Sequence, residues 1–158
     1  ASSEESDEIF DLIMKKLYQQ PGVYVALSAS QLDKDRLLSR PLVSTKDSYS
    51  SLYLFTSYEK AVAWCSYYGH EAGGLPLIGW AEKEDDFQHL FGLSCALGVK
   101  MMMVNEGDDY VALSMQEFVE TNGINSSITS LASQLGAIDT ENSKVTIALP
   151  MLEIVRLN

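Results

Sequence analysis

Apolar residues return along this chain at two periods, and the switches between them mark its elements. Ile9, Ile13 and Leu17 recur on one helical face with Phe10 and Met14 beside them, while Asp11, Lys15 and Lys16 face away. That spacing predicts an amphipathic helix, stopped by Pro21-Gly22. Val23-Tyr24-Val25-Ala26-Leu27 is short, β-branched and aromatic, and reads as a buried strand. The stretch from Gln31 to Tyr49 is polar and broken by Pro41, so it predicts loop with a short strand around Leu42 to Ser44. Leu52-Tyr53-Leu54-Phe55 is the clearest further strand and runs directly into Thr56-Ser57-Tyr58-Glu59. Those four residues have the form of a capping box, with the Thr56 hydroxyl accepting from an orphan amide and Glu59 reaching back. A helix is expected from there to Gly69, burying Ala61, Val62, Cys65 and Tyr68.

The second half repeats this alternation. Leu77 to Trp80 predicts a strand, Lys83-Glu84-Asp85-Asp86 sets negative charge at a helix start, and Phe87, Leu90, Phe91 and Cys95 follow at helical spacing. Val99 to Val104 has the apolarity of an interior strand, Asn105 to Asp109 the composition of a turn, and Tyr110 to Leu113 that of a returning strand. Ser114-Met115-Gln116-Glu117 is a second capping-box pattern. Ile128, Leu131, Ala132 and Leu135 predict another helix, and Val145 to Leu149 a last strand. The expected fold class is α/β, with α+β as the alternative: a mixed sheet of about five or six strands flanked by about five helices. Residues 1–8 are expected to form a flexible N-terminus, and residues 9–158 a single domain.

Charge narrows the partners. Asp and Glu total 22 against 11 Lys and Arg, a formal net charge of −11 with no basic cluster to offset it. Phosphate backbones and anionic lipid surfaces are repelled by such a chain, so nucleic acid and membrane are excluded as expected partners and a basic protein surface is favoured. No run approaches the roughly 18 apolar residues of a membrane span. The polar, acidic opening Ala1 to Asp7 is unlike the first region of a signal peptide, which makes a cytoplasmic location the expectation.

The search for chemistry returns little. Gly73-Gly74 follows a helix instead of joining a strand to one, and no phosphate-binding glycine pattern occurs. Cys65 and Cys95 fall on expected buried helix faces, where thiols are inert, and have no nearby histidines to suggest zinc. His70 reads as a solvent-facing loop residue at a helix end, and His89 as polar helix surface. Glu106, Asp108 and Asp109 surround Gly107 but lack the alternating ligand spacing of a calcium loop. No catalytic, cofactor-binding or metal-binding set is expected. The densest aromatic group, Trp64, Tyr67 and Tyr68, adjoins His70 and Glu71 in a glycine-containing segment, and these five residues form the candidate interaction surface. Trp64 and Tyr67 are both placed off the apolar helix face by this reading.

The order Leu52 to Glu59, then Ala63-Trp64, then Gly98-Val99 and a strand ending in Asn105 resembles the N-terminal domain of the SseB family of bacterial proteins, over about Ile9 to Gly123. The resemblance implies a bacterial cytoplasmic α/β domain without established enzymatic activity, and it carries over no catalytic residues. A non-catalytic binding or regulatory module is therefore the leading expectation. Two others stay open: a toxin-neutralising immunity protein that blocks a basic active site, and an enzyme built on His70, Glu71 and Cys65.

Overall fold

The computed structural model describes residues 3–46, 49–107, 110–125 and 149–156. Helix α1 (Ser3–Tyr18) leads into strand β1 (Gly22–Ala26), followed by β2 (Leu38–Ser39), β3 (Val43–Lys46) and β4 (Tyr49–Phe55). Helix α2 (Tyr58–Tyr68), the short pair β5 (Glu71–Ala72) and β6 (Leu75–Pro76), and strand β7 (Ile78–Glu82) come next. Helix α3 (Lys83–Ala96), strands β8 (Met101–Val104) and β9 (Val111–Ser114), helix α4 (Met115–Thr121) and β10 (Leu152–Glu153) complete the described elements. The fold is α/β. The helix expected around Ile128 to Leu135 and the strand from Val145 lie outside the described residues, apart from Leu149, which is buried at the end of that segment.

The main sheet has the order β7-β1-β4-β8-β9, with β3 pairing the first half of β4 along the edge whose second half pairs β1. All these pairings are antiparallel except β4 with β8, which run parallel in the register Ser51 to Met101 through Leu54 to Val104. A parallel neighbour requires a crossover, and here the chain between β4 and β8 passes through α2, β7 and α3.

Alternation along the strands divides the core between the two sheet faces. Val23, Val25, Leu52, Leu54, Met102 and Val104 point to one side and pack with Met14 and Leu17 of α1, Phe87, Leu90 and Phe91 of α3 and Phe118 of α4. Ala26, Phe55 and Ile78 point to the other, with Tyr24 and Tyr53 partly buried there, and meet Ala61, Trp64 and Cys65 of α2. Among the described helices, α1, α3 and α4 thus cover one face of the sheet and α2 the other.

Several local expectations are corrected. Helix α1 extends back to Ser3; of its expected apolar stripe Met14 and Leu17 are buried and Ile13 packs half-buried against the core, while Ile9 and Phe10 are exposed. On α2 the buried stripe is Ala61, Trp64 and Cys65, so Trp64 lies on the apolar face and Tyr68 off it. The i, i+3, i+4 set centred on Trp64 faces Phe55 and Tyr53 across the sheet, and the indole's area outweighs the smaller Val62 in choosing the rotation. Cys95 is half-buried.

Gly22 is required by a close approach. A Cβ there would lie 2.4 Å from Cζ2 of Trp80 and 2.6 Å from the carbonyl oxygen of Ala81, in a strand pair whose backbone cannot retreat. We expect Gly22→Ala to destabilise the fold by about 2 kcal/mol through overpacking, measured as a lowered denaturation midpoint at unchanged slope.

Candidate functional site

The two parallel strands end side by side, and the chain turns sharply at both ends. After β4, Thr56 and Ser57 lead into α2; after β8, Asn105, Glu106 and Gly107 form a turn. Asn105 is buried and adopts φ 61°, a left-handed conformation tolerated by asparagine better than by most residues. Its side chain continues the ladder where the backbones part: Oδ1 accepts from the Thr56 amide at 2.9 Å, and Nδ2 donates to the Thr56 hydroxyl at 3.1 Å. Its own amide donates to the Leu54 carbonyl at 2.8 Å.

This latch explains why the expected capping box is displaced by one residue. With its amide held by Asn105, Thr56 remains outside the helix, and Ser57 is the N-cap, its hydroxyl accepting from the Lys60 amide at 3.2 Å. The second pattern forms at its expected cap, the Ser114 hydroxyl accepting from the Glu117 amide at 3.2 Å.

Between the start of α2 and the β8 turn lies an open cleft of about 780 Å³. Trp64, Tyr67 and Tyr68 form its aromatic wall, and Glu106 of the turn stands opposite. The indole Nε1–H of Trp64 donates to Glu106 Oε1 at 3.2 Å, and the Tyr68 hydroxyl donates to the same oxygen at 3.4 Å. The Glu106 carboxylate beside the Tyr68 phenol pushes its ionisation upward, which keeps it a donor. Trp64 is anchored from below by Tyr53 and Phe55, at centroid separations of 5.2 and 5.7 Å, and Tyr68 lies 5.1 Å from it. Burying an indole contributes about 4–6 kcal/mol, against about 1 kcal/mol for one hydrogen bond. Packing therefore holds Trp64, and the carboxylate sets only its polar edge. Tyr67 is 82% exposed and meets Tyr68 edge-on at 4.9 Å.

Of the five residues singled out in the sequence, three line this cleft. His70 does not: its ring packs edge-on against Trp64 at 5.3 Å, and Nε2–H donates to the Leu27 carbonyl at 2.6 Å. The expectation of a solvent-facing loop residue is corrected, because this hydrogen bond ties the end of α2 to the chain leaving β1. Glu71 is exposed on β5 and absent from the lining. Glu106 was weighed in the sequence only as part of an acidic turn around Gly107, because nothing local ties it to α2; its one further signal was its place immediately after a buried strand and an asparagine.

Burial pushes the Cys65 thiol up to about 11, and Cys95 is raised by the same cause. Neither thiol is an activated nucleophile at neutral pH. Among the described residues no group of three or more His, Cys, Asp and Glu side chains gathers to hold a metal ion, and no helix is long and apolar enough to cross a membrane.

Two outcomes follow from this geometry. Replacing Asn105 by Ala removes both side-chain bonds to Thr56 and leaves an alanine in the left-handed region, so we expect a loss of about 2–3 kcal/mol, with Asn105→Gly milder; chemical denaturation checks the order. For Cys65, the native thiol holds its proton between about pH 9 and 11 while the unfolded thiol releases it. The folded state then binds more protons, so its stability falls as pH rises through that window. Cys65→Ala is expected to flatten this part of the stability curve, measured by urea titration at each pH.

No family model matches the chain, and neither a curated protein nor a solved structure does, so the functional reading is carried by the cleft's geometry.

Proposed function

We propose that the protein is a non-catalytic binding module that receives a basic protein partner at the cleft between α2 and the β8 turn. The observation that carries this reading is the joining of two exposed tyrosines, Tyr67 and Tyr68, to a buried Trp64 whose indole bonds Glu106 at one opening. Aromatic side chains held by packing bind at low entropic cost, which is why they dominate protein recognition surfaces. The net charge of −11 favours association with a basic surface and accelerates encounter. The suppressed thiols and the engaged His70 Nε2 support binding over covalent chemistry. The SseB-like order of motifs supports the same role, as a bacterial cytoplasmic domain that works through protein contacts.

Photocrosslinking tests the proposal. A benzophenone side chain in place of Tyr67 is expected to yield a discrete adduct with one basic protein in the source cell. The same group in place of His89, exposed on α3, is expected to yield none. Adducts of equal pattern from both positions, or none from position 67, would overturn it.

A further inference from the structure

Resting on the binding reading, we infer that the cleft recognises an arginine side chain of the partner, its guanidinium seated against the Tyr67 and Tyr68 rings and bound by Glu106. Three observations lead there. First, Glu106 is not used up: Oε1 accepts the Trp64 indole and the Tyr68 hydroxyl. A carboxylate has about four acceptor sites on its two oxygens, so those bonds leave acceptor capacity while fixing the group's position. With Oε1 accepting two bonds, the open sites are those of Oε2, to which a guanidinium N–H donates a charge-assisted bond while the planar cation lies against the rings. Second, the rings beside it stand at an angle. Tyr67 and Tyr68 meet at 79°, and Trp64 and Tyr68 at 50°, giving faces and edges around one opening instead of a flat stack. Ring faces attract cations, and the planar, weakly hydrated guanidinium stacks on them better than a compact ammonium. Third, the charge is of the complementary sign. Among the described residues of the lining, Glu59 and Glu106 are acidic and Lys60 is basic, within a chain of net charge −11.

The cleft is too open to exclude water, so its selectivity must come from the charge-assisted bond to Oε2 and the rings together. Arginine is favoured over lysine because it engages both, and over neutral urea-bearing side chains because both contacts depend on charge.

The Trp64 indole N–H bonds directly to Glu106 and reports on occupancy. In nitrogen-labelled protein, with the Trp64 and Trp80 signals assigned by comparison with Trp80→Phe, the tripeptide Gly-Arg-Gly is titrated against Gly-Lys-Gly and Gly-citrulline-Gly. The expected result is a saturable shift of the Trp64 signal with the arginine peptide, weaker binding of lysine, and binding of citrulline weaker by about tenfold. Glu106→Gln keeps an acceptor for the indole, so the fold is retained while arginine affinity drops about tenfold. Tyr67→Ala, at a position outside the core, lowers it severalfold. Equal responses to arginine and citrulline, or unchanged arginine affinity in both variants, would overturn the inference. A discrete crosslinked partner from position 67 without any arginine response sinks the guanidinium inference alone. An arginine response with no partner crosslinked sinks the protein-partner reading and leaves the cleft's chemistry standing.

Discussion

β4 and β8 run parallel at the centre of a sheet whose other pairings are antiparallel, and this one pairing brings two carboxyl-terminal strand ends to the same edge. Strand ends of this kind are where open α/β sheets place their ligands, because loops diverge there and leave a crevice. The pairing needs a terminator, since backbone groups beyond Val104 would otherwise lose their partners. Asn105 supplies it by substituting a side-chain amide for the missing rung to Thr56. Its left-handed backbone also turns the chain so that Glu106 faces α2.

Trp64 joins the cleft to the core. Its rings belong to the hydrophobic cluster under α2, while its one polar atom reaches the cleft carboxylate. A recognition wall built in this way is rigid because the same contacts that stabilise the fold immobilise the ring, and little rotamer entropy remains to be lost on binding. His70 braces the indole from the end of α2 and is itself held by the Leu27 carbonyl. Its position beside the aromatic group in sequence reflects support of the wall, not participation in the cleft. Tyr67 is the contrasting case, 82% exposed and meeting Tyr68 edge-on.

The elements were legible in the sequence because each carries its own period. Val23 to Leu27 and Leu52 to Phe55 read as strands, the acidic start of α3 as a helix N-terminus, and Ser114 as a cap, since these signals depend on residues within one turn of one another. The capping box at Thr56 read one residue early because the competing bond comes from Asn105, forty-nine positions away, and no local pattern records it. Trp64 was placed on the wrong side of α2 for a related reason: which stripe of a short, weakly amphipathic helix is buried depends on the sheet that receives it.

Composition and local periodicity by themselves determined the α/β class, the acidity and the aromatic segment on α2. Tertiary structure alone decided that Trp64 and Tyr68 share an oxygen of Glu106, forty-two and thirty-eight positions distant, and that His70 and Glu71 stand outside the cleft. The physical reason is that a helix or strand is specified by neighbours in the chain, whereas a site is specified by which strand ends meet. That meeting was set by the parallel register of β4 and β8, which hydrogen bonds between remote segments create.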